Sequence, residues 1–215
     1  MNPDFAIILN FDLQQTNKFD ADLLVKTARN IGVRAVSGSE ALAAACQKYT
    51  IALIADPEGV HLNSFASVID ELVANRFEGK TTIIDIPVNE DGTFSEASQE
   101  LFAELNDWMH MFGHALNEGE ISNLVSDHGH ILKNRHANYQ EYVFLKTPLP
   151  ETITVTGLEQ APARVDWIEN RVEQAFTFED GKLMITLIAP DREFSWNVLR
   201  IQAHRPEDDL GETKF

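Results

Sequence analysis

Residues 81–113 read TTIIDIPVNEDGTFSEASQELFAELNDWMHMFG, and the class of the fold follows from them. Thr81–Val88 is a β-branched run, which predicts a buried strand, and Pro87 stands at its end, where a missing N–H does least harm. Asn89-Glu90-Asp91-Gly92 has turn chemistry. Beyond the turn, Leu101, Phe102, Leu105, Trp108, Met109 and Phe112 recur at one-face helical spacing, so an amphipathic helix follows. Thr93 with Glu96 has the form of a capping box, and Gly113 suits the stop.

The same strand-then-helix unit recurs upstream. Asp4–Phe11 is a short apolar run that predicts a buried strand. A helix over Phe19–Gly32 buries Leu24, Val25, Ala28 and Ile31, with Asp20 or Asp22 as its cap. Val33–Val36 predicts a second strand, Glu40–Tyr49 an alanine-rich helix, Thr50–Ala55 a third strand and Ser64–Phe77 a third helix. Four βα units argue for a parallel sheet with covering helices. A closed eight-stranded barrel takes about 250 residues and rarely fewer than about 200. The expected layer is therefore a shortened parallel α/β domain over residues 1–120, partial barrel-like or open. Its unpaired edges need cover, which a homo-oligomer, in the simplest case a dimer, would supply.

After residue 120 the texture changes. Residues 121–139 are polar with little periodicity and read as a linker or crossing segment. Tyr142–Lys146, Ile153–Val155, Arg164–Ile168, Ala175–Phe178, Leu183–Ile188 and Val198–Ile201 are short strand-forming runs, with Asp180-Gly181 as a hairpin turn between two of them. They predict a small antiparallel β-sandwich over 140–204. Residues 205–215 form an acidic tail. The fold class is thus α/β followed by all-β.

Three of these blocks carry a resemblance. Pro87, Asp91-Gly92 and Trp108…Gly113 resemble the last strand and helix of the catalytic barrel of retaining α-L-fucosidases. FDADLLVKTARNIGVRAV resembles an earlier helix and strand of that barrel, and the run from Val165-Asp-Trp-Ile to Val198-Leu-Arg-Ile resembles its C-terminal β-domain. The likeness spans roughly 19–36, 80–117 and 140–203, in family order. It implies a glycosidase scaffold with a carbohydrate ligand and no cofactor. In the family the strand matching Val33–Val36 ends in a pair of histidines that help hold the sugar; this chain has Ser37-Gly38-Ser39 there. The family's nucleophile is an Asp in an aromatic-Asp-Gly context, for which the nearest match is Asp56, followed by Pro57.

Composition narrows the partners. The 215 residues have a formal net charge of −17, the wrong sign for nucleic acid or anionic membrane. Residues 1–120 hold 7 basic and 19 acidic side chains and residues 121–215 hold 10 and 15, which supports a boundary near 120. The chain has no apolar stretch of membrane-spanning length, and acid stands near the N-terminus where a signal peptide needs base, so the expectation is cytoplasmic. The single cysteine, Cys46, lies on an apolar helix face and reads as core.

Retaining glycoside hydrolysis needs two carboxyl groups about 5–5.5 Å apart. The candidates are Asp12, Asp56 and Asp85, each near the end of a strand, where parallel α/β sheets bind ligands. Asp85, inside an apolar strand, has either a hydrogen-bonded structural role or a functional one. Trp196 and Trp167 are candidate carbohydrate-binding platforms. His128, His130 and His136 are the metal-ligand candidates, without a fixed fourth ligand, and no metal is expected. His110 and His114 share a helix face, but no Glu follows His110. Nucleotide-binding glycine loops and the serine-hydrolase elbow are absent from the sequence. The favoured expectation is a non-catalytic, fucosidase-like protein with a carbohydrate-binding or interaction role. The alternative is an active retaining hydrolase with carboxylates regrouped at the strand ends.

Overall fold

The computed structural model describes residues 5–14, 16, 18–62, 64–137 and 139–203. The expected acidic tail, 205–215, lies outside the described residues. The chain divides into two compact units, Met1–Gly113 and His114–Phe215.

The first unit is a parallel sheet with helices. In chain order it contains β1 (Ile7–Asp12), α1 (Ala21–Ile31), β2 (Ala35–Ser37), α2 (Ala43–Tyr49, entered through a 3₁₀ turn at Glu40–Leu42) and β3 (Ala52–Leu53). Next come β4 (Val60–Leu62), α3 (Val68–Phe77), β5 (Thr82–Pro87) and α4 (Glu96–Glu118). Helix α1 is closed at both ends by its own sequence. The Asp20 carboxylate accepts the Leu23 N–H, and Gly32, at φ 93°, ends the helix in the left-handed region.

The strands lie in the order β3-β2-β1-β5-β4, and each neighbouring pair is parallel. Read around, that order is sequential and open only between β3 and β4, as in a barrel with a gap. The six residues between those edge strands must cross four inter-strand steps, about 19 Å at the usual spacing. They can reach little more than about 24 Å fully extended. The short crossing therefore favours a curled sheet over a flat one.

The two faces of the sheet differ. Ile7, Leu9, Phe11, Ile84 and Ile86 alternate onto one face and are buried to 1% exposure or less. On this side the Asn75 amide of α3 donates to the Thr82 hydroxyl (3.0 Å). Phe94 bridges Phe11 (6.2 Å between ring centroids) and Phe102 of α4 (4.8 Å). The other face carries Ile8, Ala35 and Ile83 as a small cluster with Phe5, Ala52 and Ile54 packed against it. Further along the strands, this second face changes to Asn10, Ser37, Asp85 and Asp12.

Three expectations need correction. Strand β4 was not foreseen: Val-His-Leu is too short to show alternation, and only pairing with β5 makes it a strand. The cap of α4 is Ser95, whose hydroxyl accepts the Ser98 N–H at 3.1 Å, while the Thr93 hydroxyl donates to Asp91 (2.6 Å). The helix also runs through Gly113 to Glu118, because the buried stripe continues in Ala115 and Leu116. Gly92 does have the expected turn role. It sits at φ 83°, and a Cβ there would overlap the Lys18 carbonyl oxygen. Gly92→Ala should cost about 1–3 kcal/mol through backbone strain and that overlap, read as a lowered Tm.

The second unit is an antiparallel sandwich. Its strands are β6 (Gly119–Ile121), β7 (Val125–Ser126), β8 (His130–Asn134), β9 (Gln140–Lys146), β10 (Thr152–Thr156), β11 (Arg164–Trp167), β12 (Ala175–Glu179), β13 (Lys182–Thr186) and β14 (Trp196–Gln202). One sheet has the order β12-β13-β10-β7 and the other β11-β14-β9-β8-β6. Val143, Leu145, Ile153, Val155, Leu183, Ile185 and Leu199 fill the space between them. Asp180 (φ 49°) and Gly181 (φ 73°) make the two-residue turn joining β12 and β13. The stretch expected as a linker, 121–139, instead contributes β7 and β8. Its apolar content at β8 is only Ile131 and Leu132, both buried, which is too short a run to stand out from polar neighbours.

Candidate functional site

The polar end of the open sheet face is built by register. Asn10 of β1 stands opposite Ser37 of β2 and Asp85 of β5. His61 of β4 stands opposite Ile83, two residues before Asp85 on the same face. Three strands therefore deliver three polar side chains to one place. The Asn10 amide donates to Asp85 Oδ1 at 2.7 Å, and His61 Nδ1 lies 2.9 Å from Oδ2 and 3.2 Å from Oδ1. A carboxylate only accepts, so Nδ1 carries the proton and Nε2 keeps its lone pair in the neutral ring. Asp85 retains 30% side-chain exposure and His61 47%, so the cluster is open to solvent.

A cleft of about 620 Å³ opens beside Asn10 and Asp85, lined also by Asp12, Gln14, Gly38 and Ser39; His61 holds Asp85 from outside that lining. Asp12 closes β1, and its carboxylate accepts the Gln14 N–H at 3.0 Å. Gly38 lies at φ 140°, and a Cβ added there would stand 2.9 Å from the Phe11 carbonyl oxygen. A histidine at that position would have to displace β1. The departure from the fucosidase pattern at Ser37-Gly38-Ser39 is therefore also a matter of packing.

Asp12 and Asp85 thus border one cleft. Asp12 pairs in register with Pro87, two residues past Asp85 on β5. Strand rise and spacing then put the two Cα atoms roughly 8 Å apart. Asp56 does not join them. It lies on the segment crossing from β3 to β4 and borders a different cleft, with Ile8, Pro57, Gly59 and Thr81.

The aromatic and histidine candidates are placed elsewhere. Trp167 is 1% exposed in the sandwich core, and its indole N–H donates to the Ile188 carbonyl (2.7 Å). Trp196 is 7% exposed, with the His130 ring stacked on it at 5.8 Å. Neither indole offers an open face for a sugar, because each ring became part of the packing that forms the strands. The three candidate ligand imidazoles have separate partners. His128 meets Asp127 (3.1 Å), His130 lies on Trp196, and His136 Nε2 meets Glu118 (3.0 Å). Among the described residues no group of three His, Cys, Asp or Glu side chains is arranged as a metal site. No helix among them is long and apolar enough to cross a membrane.

Two members of the cluster, Asn10 and His61, escaped the sequence reading. Asn10 interrupts an apolar strand, as Asp85 does, and that shared irregularity was the available sign. His61 gave none, because its strand exists only through pairing.

No protein-family model matches this chain, and no curated protein matches it significantly in sequence. The α-fucosidase of Thermotoga maritima, solved in complex with fucose, superposes with a TM-score of 0.69 at 10% identity, covering 93% of this chain and 95% of that one. An α-L-fucosidase from Bacteroides thetaiotaomicron gives 0.74 at 9% identity, covering 93% of each. Isoenzyme 1 of the Paenibacillus thiaminolyticus α-L-fucosidase gives 0.56 at 12%, covering 91% of this chain and 57% of that one. The chain has the fold of α-L-fucosidases at a sequence distance where fold alone is shared.

Proposed function

We propose that the chain is a carbohydrate-binding protein on a fucosidase-like scaffold, and that it holds a sugar in the cleft lined by Asn10, Asp12 and Asp85 without hydrolysing it. The observation that carries this reading is the Asp85 carboxylate held by donors from two other strands. It has about four acceptor positions, and Asn10 and His61 use two, leaving capacity for ligand hydroxyl donors. The second amide N–H of Asn10 and the hydroxyl of Ser39, whose oxygen accepts the Ala41 N–H, add donors on the same cleft and complete a mixed set of donors and acceptors, the chemistry that a polyol needs. Solved proteins of the same fold include one in complex with fucose, which makes L-fucose the first probe.

Asp12 is poorly placed to act as the second carboxylate of a retaining hydrolase. It is the other carboxylate on the cleft, it spends an oxygen on the Gln14 N–H, and it stands a full side-chain step beyond Asp85. The second reading, a retaining hydrolase, is favoured by the two carboxylates sharing one cleft and requires them to approach to about 5–5.5 Å. Calorimetric titration with L-fucose beside an assay of 4-nitrophenyl α-L-fucoside separates the readings. Saturable binding without turnover is expected. Turnover that vanishes in Asp85→Asn would establish the hydrolase instead, and absence of both binding and turnover would remove both.

Self-association belongs to the same proposal. Strands β3 and β4 are the two edges of the parallel sheet, and edge strands pair readily with a second copy. Light scattering on a sizing column should give a dimer mass; a monomer at all concentrations would refute this part alone.

A further inference from the structure

We propose that the open end of the β-sandwich, around Glu141, is a second ligand site, for a neutral polyhydroxylated ring of monosaccharide size. The site lies wholly within the second unit. Strand β9 is irregular there: Glu141, Val143 and Leu145 alternate onto the inner face of the sandwich. Val143 and Leu145 are core, and Glu141 stands opposite Ile201, also core. A carboxyl has thus been placed in the inner row. Inward charges can protect edge strands, but β9 is paired on both sides, by β14 and β8. Edge protection does not explain it.

Its Oε2 is buried and has no hydrogen-bond partner; burial, with a smaller push from Glu120, outweighs the Ser122 hydrogen bond to the carboxyl and the Lys133 charge and holds the group above the ordinary glutamate range. An unsatisfied buried acceptor is a cost that native proteins seldom keep without a reason. Here the group borders a cleft of about 410 Å³, within the size range of small-molecule sites. The lining also decides the ligand class. Leu124, Leu158 and Ile201 supply an apolar wall, and Ser122 and Lys133 stand on the polar side with Glu141. Lys133 is the register partner of Glu141 on β8. A cation entering the cleft meets the ammonium, and an anion meets the carboxylate. A neutral ligand with hydroxyls on one side and a C–H face on the other suits both walls, and a pyranose has that form.

The test is an amide-resolved NMR titration of the full chain with L-fucose, D-galactose and D-glucose. With at least one of them, saturable shifts are expected at residues 122–124, 133, 141 and 157–158. They should persist in Asp85→Ala and disappear in Glu141→Ala, whose folding the same spectrum reports. No saturable shift there with any of the three sugars, or shifts that survive Glu141→Ala, would overturn the proposal. A second readout guards against a purely structural role. Glu141→Gln removes the charge at constant shape and should raise Tm at neutral pH, because the folded state holds this carboxyl above its unfolded pKa. In that situation stability is lost as pH rises through the folded value, so the gap to wild type should close as pH falls below the ordinary glutamate range. A Glu141→Gln variant that melts lower at neutral pH would show that the carboxylate stabilises the fold, and the proposal would fail.

Discussion

Asp85→Ala is expected to weaken L-fucose binding by about 10- to 150-fold, the equivalent of a charge-assisted hydrogen bond worth about 1.5–3 kcal/mol. Two losses combine. The ligand hydroxyl loses its acceptor, and the Asn10 amide and His61 ring lose the carboxylate that orients them. Stability should change little. Asp85 lies on the solvated end of the sheet face, and water can replace it as partner to Asn10 and His61. The melting curve should therefore stay close to wild type while the calorimetric signal collapses. Asp56→Ala is the matched control, because Asp56 borders the other cleft and its loss should leave affinity unchanged. An Asp85→Ala protein that binds as tightly as wild type would remove the cleft as the sugar site.

The opposite pattern is expected for Trp167→Ala. The indole is fully enclosed, and its removal leaves a large cavity and strips the Ile188 carbonyl of its donor. Such truncations cost about 3–5 kcal/mol, here roughly a 10 °C fall in Tm for a chain of this length. Urea unfolding followed by tryptophan fluorescence would show a lowered midpoint. Bound sugar per folded molecule should be unchanged. A variant that kept its stability and lost binding would restore Trp167 as a sugar platform. Together the two substitutions separate a residue that recognises from one that packs.

The contrast between Asp85 and Trp167 also shows where sequence reading reaches its limit. Both are candidate ligand residues on strands, Asp85 as a carboxylate in an apolar run and Trp167 as a carbohydrate platform, and only burial distinguishes their roles. Asp85 faces the side of the sheet that α3 and α4 leave open, whereas Trp167 alternates into the space between two sheets. His61 shows the same limit from the other side. Its three-residue strand has no period of its own, so the residue that completes the cluster became visible only when β4 paired with β5. The segment 121–139 failed as a linker for a related reason. Short strands in a sandwich are specified by their neighbours more than by themselves.

The sequence by itself determined the alternation of the longer strands and helices up to α4, the parallel layer followed by the antiparallel one, the ends of α1, the Asp180-Gly181 hairpin and the likeness to the fucosidase scaffold. These depend on local physics: hydrophobic period, caps, and residues that tolerate positive φ. Tertiary structure alone decided that β3 and β4 are edges, that Asp12 and Asp85 share a cleft while Asp56 does not, and that both tryptophans are buried. Those outcomes depend on strand order and register, which bring together residues as far apart as Asn10, His61 and Asp85. A one-residue change of register would turn each side chain to the other face, so no local signal in the sequence can carry that information.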